Sequence, residues 1–131
     1  MTQRKLDPSA AARADIERLV RHDRQLAKRV VHVLGLLASG KVTGKALAES
    51  AKYGDLSDHY KLYVGLAGRP THRIVYRVTP ATIRVEAVGS RDLGLVYLEV
   101  SQRLGRLPAE SLPALNDARR SPKRKRRGLG L

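Results

Sequence analysis

Residues 72–78, His-Arg-Ile-Val-Tyr-Arg-Val, alternate polar and apolar side chains in a run rich in β-branched and aromatic residues. That pattern predicts a β-strand. Ile74, Tyr76 and Val78 fall on one side of it, and Arg73, Val75 and Arg77 on the other. Turn sequences bracket the run, Gly68-Arg69-Pro70 before it and Thr79-Pro80-Ala81 after. Beyond the turns, residues 60–66 and 82–88 alternate as well. Three such runs joined by short turns predict an antiparallel meander. Its apolar face takes Tyr60, Leu62, Val64 and Leu66, then Ile74, Tyr76 and Val78, then Ile83, Val85 and Ala87. The opposite face carries Lys61, Tyr63, Arg73, Arg77, Arg84 and Glu86, and only one of these is acidic.

An apolar sheet face needs a cover. Upstream, Asp7-Pro8 reads as a helix start, with Asp as N-cap and Pro at the first helical position. Ile16, Leu19 and Val20 form its apolar stripe. Arg21 to Arg24 is a polar break. A second helix over about 23–38 presents Leu26, Val30, Val33, Leu34 and Leu37 on one face, and Ser39-Gly40 stops it. The pair makes a helical hairpin with one face to bury. Residues 41–58 read as a connector, with a short helical turn at Ala46-Leu47-Ala48. Leu93 to Gly105 reads as a last helix. Met1 to Leu6 reads either as a frayed end or as a brief strand. The expected fold is α+β: an N-terminal helical hairpin packed on a small antiparallel β-sheet, followed by a C-terminal helix and a basic disordered tail. The expected division is one domain over 1–105 and a flexible, Pro-containing, Lys/Arg-rich tail over 106–131.

The formal charge of +14 is concentrated at one end. Seven basic residues fall between Arg119 and Arg127 with no acid to offset them, and the rest of the chain still has 19 basic residues against 12 acidic ones. A partner that is a polyanion is expected, nucleic acid or an anionic membrane surface. Cysteine is absent, which excludes disulfides and thiolate metal sites. No stretch is long enough to span a membrane and no early run resembles a signal peptide, so the cytoplasm is the expected location.

The chemistry-bearing residues gather on the polar sheet face. Lys61 and Arg73 lie on neighbouring strands with their side chains on the same side. Arg91 follows the third strand, and Tyr97 comes six residues later on the last helix. Three cations and an exposed tyrosine suit a phosphate and a stacked base; an ordinary solvated sheet face is the competing reading. Tyr63, Arg77 and Arg84 on that face, with His72 at the strand's start, are the candidate RNA-binding residues around them. His22 and His32 are on helices. His59 and His72 stand near the ends of the strands carrying Lys61 and Arg73, where each is either an acid–base group or incidental. No pair has metal-ligand spacing, and no phosphate-binding glycine loop or nucleophile elbow is present, so no metal and no cofactor are expected.

The segments Gly54-Asp55-Leu56-Ser57, Tyr60-Lys61-Leu62, Arg73 to Val78, Val88-Gly89-Ser90-Arg91, Val96-Tyr97 and Arg103-Leu104 resemble the core of the RelE-type toxins, in the RelE/ParE superfamily of toxin–antitoxin systems. The resemblance covers about Asp15 to Gly105. It implies a ribosome-dependent endoribonuclease that cuts messenger RNA in the A site through the RNA's own 2′-hydroxyl, without metal. It also implies a cognate antitoxin as partner, beside the ribosome and its messenger. Carried over by position, Lys61 matches a catalytic lysine, Arg73 the arginine on the scissile phosphate, Arg91 a second catalytic arginine, and Tyr97 the tyrosine that stacks on the messenger base. The chain departs from the pattern at Tyr63, where members often have a second basic residue. Two alternatives belong to other classes: a ParE-like protein that inhibits DNA gyrase by contact alone, and a degenerate member that binds RNA without cutting it.

Overall fold

The structure, a computed structural model, describes residues 3–90 and 92–120. In chain order it comprises β1 (Lys5–Pro8), α1 (Ala10–His22), α2 (Arg24–Ala38), β2 (Lys45–Ala46), β3 (Glu49–Ser50), β4 (Gly54–Asp55), β5 (Tyr60–Val64), β6 (His72–Val78), β7 (Thr82–Ser90), α3 (Leu95–Arg103) and α4 (Leu112–Arg120). Five strands form one sheet in the order β1-β7-β6-β5-β2, and β3 and β4 make a separate ribbon. The expected antiparallel meander is its centre, β5-β6-β7. The sheet as a whole is mixed, because β1 pairs in parallel with β7, Lys5 opposite Thr82 through Pro8 opposite Val85.

That strand moves the start of the first helix. Asp7 and Pro8 belong to β1, and Ser9 is the cap: its Oγ accepts from the Ala12 N–H at 3.0 Å. At the other end the Asp23 N–H closes α1 on the Leu19 carbonyl at 2.7 Å, while its carboxylate caps α2 by accepting from the Leu26 N–H at 3.1 Å. One residue thus ends one helix and begins the next, which fixes the hairpin. Gly40, in the left-handed region with φ 77°, ends α2, and the Lys41 N–H returns to the Leu36 carbonyl.

The hairpin buries Ala12, Val30, Val33, Leu34 and Leu37 on Val64, Ile74, Tyr76, Ile83, Val85 and Val88. Val20 is exposed instead of buried; the covered face of α1 runs through Ala12, Asp15, Ile16 and Leu19. Leu66 is exposed too, because β5 ends at Val64.

A β-bulge corrects one further expectation. Val75 pairs with Ala87 and Tyr76 with Val85, leaving Glu86 as the extra residue. Ala87 therefore turns from the hairpin face to the opposite face. There it packs with Leu56, Val75, Val96, Tyr97 and Val100. So that face is not simply basic: α3 lies across part of it. Gly89 permits the approach, since a Cβ there would sit 3.3 Å from the Val96 side chain. Residues 106–120 are not a loose tail either. Leu115 and Ala118 of α4 pack against Leu98 of α3, with Leu95, Leu107 and Ala114 around them. Residues 121–131, which hold the densest basic run, lie outside the described residues. The expected helical turn at 46–48 is absent, and Ala46 instead pairs with Tyr60 as part of β2.

Candidate functional site

Strand register assembles the site. Tyr63 on β5 lies opposite Arg73 on β6, Lys61 lies opposite Val75, and Lys45 on β2 lies opposite Lys61. The odd-numbered residues of β5 and β6 share one face, so Lys61, Tyr63 and Arg73 project together beside α3. From α3, Tyr97 enters the same cluster. The Arg73 guanidinium carbon is 5.0 Å from the centroid of Tyr63 and 4.8 Å from that of Tyr97. The Lys61 ammonium is 5.5 Å from Tyr63 and 6.0 Å from Tyr97. Both cations are therefore held against aromatic faces. Among the described residues, no carboxylate forms an ion pair with either.

The two tyrosines differ in exposure, and this corrects the expectation of an exposed Tyr97. Tyr97 is only 5% exposed, while Tyr63 is 42% exposed. Tyr97 packs edge-on to Tyr53 with centroids 5.3 Å apart. Burial pushes its hydroxyl up to about 12. Its Oη and the Nε of Arg73 are buried with no hydrogen-bond partner among the described residues. The Tyr63 hydroxyl moves the other way, held below its ordinary value by Lys61, with Arg73 and Lys45 adding to the effect.

The other predicted residues that the structure describes do not join this cluster. Arg91 lies outside the described residues. Arg77 and Arg84 face each other in register at the far end of the sheet, and Arg84 pairs with Asp7 at 3.0 Å and more distantly with Glu86. His72 shares the parity of Ile74 and turns to the hairpin side, where it lines a cleft with Leu19, His22 and Asp23. The Thr71 hydroxyl is 3.0 Å from its Nδ1.

His59 is neither incidental nor on the open surface. It is 0% exposed and bridges two carboxylates, Asp58 at 2.7 Å from Nδ1 and Glu86 at 3.1 Å from Nε2. Arg106 then pairs with Asp58 at 2.7 Å, tying the segment after α3 to the connector. Hydrogen bonding to His59 holds the Glu86 carboxyl low, and Arg106 foremost does the same for Asp58. The i, i+2 relation of His59 to Lys61 places it on the polar face; its burial between Asp58 and Glu86 is not visible in that pattern. Asp15 is a second missed residue. Buried, it accepts from the Val88 N–H at 3.0 Å, from Arg103 at 3.1 Å, and from Arg18. It thereby clamps α1 and α3 to β7. Among the described residues no group of histidines and carboxylates could hold a metal ion, and no helix is long and apolar enough to cross a membrane.

A helical hairpin on one face of a strand-ordered sheet, and a second helix flanking a lysine–arginine–tyrosine cluster on the other, define an architecture with solved counterparts. No protein-family model and no curated protein matches the chain. Among solved structures, a mutant of the E. coli toxin RelE in the free state aligns with a TM-score of 0.53 at 19% identity, over 79% of this chain and 99% of that one. The toxin–antitoxin complex RelBE2 from Mycobacterium tuberculosis gives 0.52 at 22% identity, over 69% of this chain and 100% of the matched one. YafQ from E. coli gives 0.52 at 17% identity, over 68% and 94%. The chain has the fold of the RelE-type toxins.

Proposed function

We propose that this protein is the toxin of a toxin–antitoxin pair and that it acts as a metal-independent endoribonuclease on messenger RNA in the ribosomal A site. The observation that carries this reading is the cation pair itself: Lys61 and Arg73 stand together against Tyr63 and Tyr97, and no carboxylate among the described residues is ion-paired to either. Structural arginines are usually neutralised, as Arg84, Arg103 and Arg106 are here. Two unneutralised cations on one sheet face suit an anionic substrate.

In the proposed reaction the RNA 2′-hydroxyl gives up its proton to water and its oxygen attacks the adjacent phosphorus, with the Lys61 ammonium beside it stabilising the developing negative charge. Arg73 neutralises the charge gathering on the non-bridging oxygens, and its buried Nε gains an acceptor. The bond to the 5′-oxygen breaks, that oxygen is protonated from water, and the products are a 2′,3′-cyclic phosphate and a 5′-hydroxyl. Arg91 is assigned to electrostatic stabilisation, since arginine is a poor proton donor. Tyr97, buried against Arg73, acts as its backing. Tyr63 offers the exposed ring on which a base stacks. Arg77 and Arg84 lie too far along the sheet for the reacting phosphate, and serve at most as outer contacts to RNA backbone. A cognate antitoxin would hold the activity in check by covering this face.

Primer extension on a reporter messenger after brief induction of the wild type and of Arg73→Ala tests the reading. Cuts within translated codons, present only with the wild type and lost when initiation is blocked, are the expected result. Growth arrest without cuts would overturn it and transfer the function to a contact inhibitor such as a gyrase poison.

A further inference from the structure

A second basic concavity adjoins the cluster. It lies between α2 and the turn joining β5 to β6, and its volume is about 240 Å³. Arg29, Tyr63 and Arg69 line it, with Val33 and Val64 as a buried apolar floor. Tyr63 is thus common to both places: it meets Lys61 and Arg73 and also walls this cleft. Arg29 sits one helical turn before Val33, so its side chain rises beside that floor. Arg69 sits on a turn with little freedom. Ala67 and Gly68 both have positive φ, 52° and 74°, and the Arg69 N–H closes on the Leu66 carbonyl at 2.9 Å. A Cβ on Gly65 would fall 1.5 Å from the Arg69 carbonyl oxygen, so only glycine lets the turn close this tightly. Both arginines are exposed, and neither forms an ion pair with a carboxylate among the described residues.

We propose that this cleft is a second nucleotide subsite, holding the phosphate of the nucleotide next to the cleaved bond between Arg29 and Arg69 while that nucleotide's base lies on Tyr63. It rests on the RNA reading above and adds to it where the strand goes on leaving Lys61 and Arg73. The size fits. Pockets for whole cofactors or drug-sized ligands run from about 300 to 1,000 Å³, so a smaller, open, doubly basic cleft suits a single phosphate and its neighbour. The chemistry fits as well, since guanidinium forks match phosphate oxygens.

The test uses the full chain and 2′-O-methyl RNA, which cannot be cleaved, in two lengths: a dinucleotide and a trinucleotide, each with a fluorescent label. Binding is followed by anisotropy across a salt titration, for the wild type, for Arg29→Gln with Arg69→Gln, and for Arg13→Gln on α1 as a control cation outside the cleft. The expected result is that the double variant loses most of the affinity gained from the third nucleotide. Its plot of log affinity against log salt should become shallower by about 0.7, the change for one lost phosphate contact on a single strand. Arg13→Gln should keep the wild-type slope. An unchanged slope in the double variant would overturn the subsite and leave the cleft to a protein partner. An equal change in Arg13→Gln would overturn it as well, by showing only diffuse surface charge. Because the probe is not cleaved, these outcomes are separate from the nuclease reading, which stands or falls on the ribosomal cuts.

Discussion

The Arg73 guanidinium rests 4.8 Å above the ring of a tyrosine, Tyr97, whose own hydroxyl is buried without a hydrogen-bond partner among the described residues. Tyr97→Phe should therefore keep Arg73 in place and leave stability equal to the wild type or higher by up to about 1–3 kcal/mol, the usual penalty of an unsatisfied buried group. Tyr97→Ala should lose about 3–5 kcal/mol through the cavity it leaves. Urea unfolding of both variants measures this. Under the proposed function Tyr97→Phe still cuts, whereas Tyr63→Leu weakens RNA binding by about 1–3 kcal/mol per stacked base.

Acid should loosen the buried His59–Glu86 bridge. The Glu86 carboxyl is held below its ordinary value of 4.5, first by the hydrogen bond to His59. A carboxylate lowered in the folded state contributes stability that is complete above its unfolded value and is lost as pH falls through the folded one. Stability should thus fall as the pH drops from about 5 through the ordinary carboxylate range and below it. Glu86→Gln should show a shallower fall over that window. Unfolding midpoints at pH 7, 5, 4 and 3 check the difference, and parallel curves would sink the assignment.

Asp15 joins three elements through one carboxylate. Asp15→Ala leaves the buried Val88 N–H without its acceptor, a loss of about 1–3 kcal/mol. Arg103→Gln should lose less, because Asp15 keeps Val88 and Arg18. Combining the two changes should add little to Asp15→Ala alone, since both remove one shared network. A double-mutant cycle in urea reads the coupling directly.

Gly44 carries Lys61 from behind. Its N–H donates to the Tyr76 hydroxyl at 2.6 Å, and a Cβ would meet the Lys61 carbonyl oxygen at 2.2 Å. Gly44→Ala must push β2 off β5, at about 1–3 kcal/mol for the overpacking. It should also lower cleavage by displacing Lys61. Amide hydrogen exchange at Lys61 and Leu62 in Gly44→Ala would detect the movement; protection equal to the wild type would refute it.

Much of this architecture follows from local pattern. The i, i+4, i+7, i+8, i+11 spacing of Leu26, Val30, Val33, Leu34 and Leu37 is enough to place α2's buried face, because a helix turns by a fixed angle per residue. Strict alternation likewise puts Lys61 and Arg73 on one side of two paired strands. Distant contacts decided the rest. β1 is four residues with no strand pattern, and it exists because the backbone of β7 offers it a ladder. The extra residue Glu86 reverses the side on which Ala87 falls, which no alternation reveals. Tyr97 looks exposed in the chain and is buried in the fold, because α3 lies across half of the polar face with Gly89 making room. Arg29 and Arg69 are forty residues apart, and only the packing of α2 on the sheet edge brings them to one cleft. Periodicity is a property of neighbours along the chain, whereas burial and the meeting of charges depend on what arrives from elsewhere in it.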